Sequence, residues 1–162
     1  MSQSAEVKLR NLAAQNAGLV AALTWPNTAG VPTFLWMDER IAQGDLGNRS
    51  DGRCAVTVLR VSTQSVPYAN QGTSNVPLET IRFQIDCISY NAEQARQAAL
   101  LVKAFMNSIS LCDPGEFASP QTAPNQAPNF LLNRRSGLKP QLNPPAFTQI
   151  QDWRVFNVDT VP

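Results

Sequence analysis

Between Glu79 and Ser108 the apolar side chains change their repeat from two residues to about 3.6, and this change constrains the fold more than any other feature of the chain. Ile81, Phe83, Ile85 and Cys87 alternate with Arg82, Gln84 and Asp86, the pattern of a strand with one face in a core and one polar face. Past Tyr90, the residues Ala95, Ala99, Val102, Met106 and Ile109 share one helical stripe, and Asn91 with Gln94 approaches a capping box. A strand over 79–89 therefore feeds a helix over 92–108. Small residues in its first half let that helix lie close to the sheet, and an opposite stripe of Leu101 and Phe105 implies a second contact.

The remaining elements follow from the same periodicities. Cys54 to Val66 reads as a strand, with Val56, Val58, Leu59 and Val61 apolar around exposed Thr57 and Arg60. Phe147 to Val158 reads as another around Ile150, Trp153, Val155 and Phe156, and Thr33 to Met37 as a short one. Ala5, Leu9, Leu12 and Ala13 define an N-terminal helix with Glu6 in its first turn, stopped by Gly18 and followed by a short apolar piece, Leu19 to Leu23. Residues 38–53, with three glycines and mixed charge, read as a mobile loop, and 67–77 as a connection between neighbouring strands.

Seven of the twelve prolines fall between Asp113 and Pro145, a composition incompatible with a regular helix or a central strand. That stretch is expected to be an arm or linker, with a short strand or turn over Asn129 to Arg135. The chain is thus expected to form one domain over 1–162. Its fold class is α+β: an antiparallel sheet of about four strands with the long helix on one face, an N-terminal helix, long Pro/Gly-rich loops and a Pro-rich arm at about 113–145.

Composition narrows function mainly by exclusion. There is no His, which removes Ser-His-Asp and Cys-His nucleophile pairs and His-ligated zinc. Thirteen Lys and Arg against twelve Asp and Glu give a charge of +1, and the basic residues are scattered, unlike a nucleic-acid-binding stripe. Twenty-six Asn and Gln outnumber the 25 charged side chains, an uncharged polar surface suited to packing in an assembly. Cys54, Cys87 and Cys112 form no C-x-x-C pair; Cys87 reads as a buried small hydrophobe, and the compartment as reducing. No apolar run suits a signal peptide or a membrane span, so synthesis in a cytoplasm and no membrane partner are expected.

Paired carboxylates, metal-ligand spacings, a P-loop, a G-x-S-x-G elbow and a dinucleotide fingerprint are all missing, so no catalytic, cofactor or metal residues are assigned. Gly44-Asp45-Leu46-Gly47 matches a GxxG clamp only in letters, since no helix pattern flanks it. Asp38-Glu39 reads as a solvated loop pair, and Trp25, Trp36 and Trp153 as core or interface anchors. Arg134-Arg135 with Lys139 is the densest basic cluster and reads as an interface or surface turn. The candidate subunit interface comprises Phe130, Leu131, Leu132, Arg134 and Arg135, apolar anchors flanked by charge, together with Leu101 and Phe105.

The order of elements and one stretch carry a resemblance. Ile81-Arg82-Phe83-Gln84-Ile85-Asp86-Cys87 runs through Ser89-Tyr90-Asn91 into an Ala-rich helix, and the last strand holds Trp153-Arg154-Val155-Phe156. From about residue 5 to 158 the chain resembles the tail-completion, or tail-terminator, family of tailed bacteriophages. The resemblance implies a non-enzymatic virion protein, without cofactors, forming a ring, as a hexamer, on the end of the tail tube at the head–tail junction. It implies as partners further copies of the chain, the tail-tube protein and a head-completion or neck protein, with DNA only passing through the lumen, and assembly in the host cytoplasm. Two alternatives stand beside it: another neck, head-completion or tail-tube structural protein, and a small ligand-binding or enzymatic α+β domain.

Overall fold

The computed structural model describes residues 4–38, 41, 44–66, 78–111, 129–140, 142 and 144–158. Its elements are α1 (Ala5–Gln15), α2 (Ala17–Leu23), β1 (Thr24–Pro26), β2 (Pro32–Phe34), β3 (Trp36–Met37), β4 (Cys54–Val66), β5 (Leu78–Ser89), α3 (Ala92–Ser108), β6 (Phe130–Lys139) and β7 (Ala146–Val158). The fold is α+β. β1 and β2 make a small separate ribbon, while the main sheet has the order β3-β4-β5-β7-β6. Its pairs are antiparallel except β3 with β4, which is parallel, so the sheet has five strands and is mixed.

Each helix start has a chemical cause. Ser4 Oγ accepts from the Val7 N–H at 3.4 Å, Asn16 Oδ1 from Leu19 at 3.0 Å, and Asn91 Oδ1 from Glu93 at 2.9 Å and Gln94 at 3.3 Å. The chain breaks between α1 and α2 at Asn16, whose extended backbone caps the second helix, and not at Gly18, which lies inside α2. Leu19 to Leu23 is accordingly helical.

Thr33 to Met37 is two strands, not one. Leu35 separates them because its N–H donates to Leu23 O and its carbonyl accepts from Val56 N, both at 2.8 Å, which swings the chain from the ribbon to the sheet.

The face of β5 carrying Ile81, Phe83, Ile85 and Cys87 is fully buried beneath α3, as the alternation requires. Val56, Val58, Trp153 and Val155 extend that face, and Leu9, Leu19, Leu23, Val102 and Met106 cover it from the helices. α3 is fixed over the sheet by a relay in which Trp153 Nε1 donates to Gln151 Oε1 (2.9 Å) and Gln151 Nε2 to Ala99 O (2.7 Å). These buried polar atoms are satisfied only in that docked position.

A smaller cluster, with Leu35, Leu46, Ala55, Ile88, Leu142 and Ala146 buried, sits at one end of the opposite face. Leu46 anchors the described part of the loop expected over 38–53. Arg53 further ties it by donating to Pro26 O at 2.8 Å and lying 5.9 Å from the Trp25 ring centroid. Glycine is required within this loop at Gly47, where φ is +62° and a Cβ would meet Asp51 and Arg53.

The expected Pro-rich arm is corrected in its second half. Pro128 and Pro140 flank eleven proline-free residues, and the last ten form β6, an edge strand reaching Lys139 rather than a short strand or turn ending at Arg135. An edge strand tolerates nearby proline because only one side of its ladder is filled. Residues 67–77 and 112–128, including Cys112 and the first half of the arm, lie outside the described residues.

Candidate subunit interface

β6 pairs with β7 on one side only. Among the described residues its other side has no strand partner, an open edge presenting Phe130 (44 % exposed), Leu132 (46 %) and Leu138 (56 %). A register shift between Leu131 and Asn133 leaves Leu132 on a bulge, while Leu131 turns inward and packs against the core. Phe130 is held in place by an edge-to-face contact with Phe156 (6.3 Å between centroids) and by the Arg154 guanidinium at 5.4 Å.

The two adjacent arginines leave β6 on opposite faces. Arg135 donates to Asp152 at 3.0 Å and to Gln84 Oε1 at 3.2 Å on the face away from the helices, and Arg134 points into a groove against α3. Of the two α3 candidates, Leu101 lies at the contact with α2, near Gly18, and Phe105 is a correction. Phe105 is buried and packs edge-to-face on Trp36 at 5.8 Å, because it follows Val102 by three residues and flanks the buried stripe instead of opposing it. The seven candidates thus separate. Phe130 and Leu132 lie on the open edge, Leu131 and Phe105 in the core, Arg134 and Arg135 on the two faces of β6, and Leu101 between helices.

Sequence reasoning missed the second edge. β3 covers only Val56 and Thr57 of β4, so among the described residues the strand beyond is open and exposes Leu59 (53 %) and Val61 (47 %). Val56 and Val58 are buried as the alternation expects, but the positions after them depart from it. Thr57 is buried opposite Asp86 and Leu59 is exposed, and a bulge between Arg60 and Ser62 shifts the register again. Val58-Leu59 as adjacent apolar residues was the available signal, since a period of two cannot bury both on one face.

The polar face of β5 is also less solvated than its sequence implied. Asp86 and Asp152 are buried. Asp86 accepts from Lys139 Nζ and from Gln84 Nε2 (3.0 Å), while Asp152 binds Arg135 at 3.0 Å and Arg82 at 3.6 Å. These bonds cross β5, β7 and β6, so β6 is clamped to the sheet by charge as well as by its ladder.

Cys54 and Cys87 are free and buried. Burial, then the charge of Asp86 and the neighbouring Cys54, push the Cys87 thiol up, and burial raises Cys54; neither is a poised nucleophile. Among the described residues no cluster of Cys, Asp or Glu is arranged to hold a metal ion, and no helix is long and apolar enough to cross a membrane. No family model and no curated protein matches the chain.

Proposed function

We propose that the chain is a structural subunit that joins copies of itself edge to edge into a closed ring at the head–tail junction of a tailed-phage virion, ending the tail tube and meeting head-completion proteins. The observation that carries this reading is the pair of apolar sheet edges left open among the described residues: β6 with Phe130, Leu132 and Leu138, and β4 with Leu59 and Val61. Two different edges on opposite sides of one sheet favour head-to-tail contacts, and such contacts make a ring when the rotation between copies closes. The bulge at Leu132 and the charge of Arg134 restrict pairing to a matching edge, as exposed edges require. The resemblance of the β5–α3 stretch and of Trp153-Arg154-Val155-Phe156 to tail-completion proteins supports the place in the virion.

Electron microscopy and sedimentation of the purified chain test the assembly. Closed rings, hexamers on this reading, are expected, with Leu132→Asp giving folded monomers. Open stacks would point instead to a tube subunit, and monomers at all concentrations would remove the ring. In a phage carrying this gene, its deletion should yield filled heads without attached tails, or tails of irregular length. Normal virions from the deletion would overturn the assignment.

A further inference from the structure

α3 lies over β5 and β7 and stops short of β6, leaving on the helix side of the sheet a groove of about 360 Å³. One wall is α3, where Arg96, Leu100 and Lys103 recur at a spacing of four and then three residues and so share one stripe. Arg96 and Lys103 are about 10 Å apart along the axis, at 1.5 Å per residue. The other wall is β6 with Arg134 and Ser136, and Gln149 of β7 lies in the floor.

Four cationic residues line this groove, and one of them, Arg135, turns its guanidinium to Asp152 and Gln84 on the other face. Arg96 is paired at 2.5 Å with Glu93, one turn back on its own helix. Among the described residues neither Lys103 nor Arg134 has an ion-pair partner, although Lys103 is already partly buried. Two unneutralised cations sharing one concavity repel each other, and the low-dielectric walls strengthen whatever anion sits between them.

We propose that this groove is a docking site for an acidic, partly apolar segment of a second protein, whose carboxylates pair with Lys103 and Arg134. Charge complementarity selects the acid. The apolar part follows from Leu100, which is 53 % exposed on the groove, and from Leu138 and Phe147, exposed at the next same-face positions of β6 and β7. A nucleic-acid strand fits less well, because two cations without an ion-pair partner among the described residues match few phosphates. A second copy of the chain also fits less well, since among the described residues most carboxylates, those of Glu6, Asp51, Asp86, Glu93 and Asp152, already engage cations of their own subunit. The groove adjoins the β6 edge and shares Leu138 and Arg134 with it, but the proposal does not rest on ring formation.

The test uses the full chain and a short fluorescein-labelled peptide of alternating aspartate and valine, with fluorescence anisotropy as readout. Saturable binding that weakens with added salt is expected, and a lysine–valine peptide should not bind. Lys103→Glu with Arg134→Glu should weaken binding by about tenfold or more, while Arg10→Glu, an exposed charge on α1, should leave it unchanged. Should the double variant fail to fold by circular dichroism, Leu100→Glu reads the same surface and should also weaken binding. The proposal is overturned if the groove variants bind as the unmodified chain does, if Arg10→Glu weakens binding equally, or if oligothymidylate displaces the peptide. Sedimentation of the same samples separates the two readings: rings that ignore the peptide remove this proposal alone, and monomers that bind it remove only the ring.

Discussion

At the scale of single residues, charge is placed where it locks elements together. Arg60 on β4 holds Glu6 on α1 with two hydrogen bonds of 2.6 Å, one to each carboxylate oxygen. Burial would raise the Glu6 carboxyl, but the Arg60 hydrogen bonds and charge outweigh it and hold Glu6 below its ordinary value. A carboxyl depressed in the folded state stabilises the fold above its unfolded pKa and loses that contribution as pH falls through the folded value. Urea denaturation should therefore show Glu6→Gln about 1 kcal/mol less stable than the unmodified chain near neutral pH, with the gap closing in acid. Lys139→Met should cost more, about 3 kcal/mol, because it leaves Asp86 buried with only an amide for company. Replacing Asp86 by Leu in the same chain should restore most of that loss. A double variant as unstable as the single one would show that the cost lies in packing and not in charge.

At the scale of elements, the entry into β6 depends on one amide. Asn129 is buried, and its Nδ2 donates to Met106 O at 2.8 Å and Ile109 O at 3.1 Å, so it closes the C-terminal end of α3 and fixes where the edge strand begins. Asn129→Ala should lower stability by about 1 to 3 kcal/mol. Amide exchange should quicken first in β6 and the last turn of α3, with β4 and β5 unaffected. The strand–helix unit over 79–108 was legible because every local signal agrees there: strict alternation, then an Asn cap, then a 3.6-residue stripe. β6 was half legible. Proline content over 113–145 argued against structure, yet the proline-free window 130–139 is long enough for a strand.

At the scale of the whole molecule, edge-to-edge assembly makes a prediction that a single variant does not. Leu59→Asp spoils the β4 edge and leaves β6 intact, whereas Leu132→Asp does the reverse. If copies join β4 to β6, each variant alone should be monomeric, and a mixture of the two should sediment as dimers held by the two unspoiled edges. A mixture that stays monomeric would show that the edges do not meet. The sequence by itself determined the α+β class, the buried face of β5, the position of α3 and the burial of Cys87. Those follow from periodicity and capping, which act over a few residues. Tertiary structure alone decided that Leu35 divides a strand in two, that Phe105 is core, that Asp86 and Asp152 are buried between cations, and which strand edges stay open. Each of these depends on what a residue meets from a distant part of the chain. Neighbours such as Lys139 beside Asp86, 53 residues apart, leave no trace in local pattern.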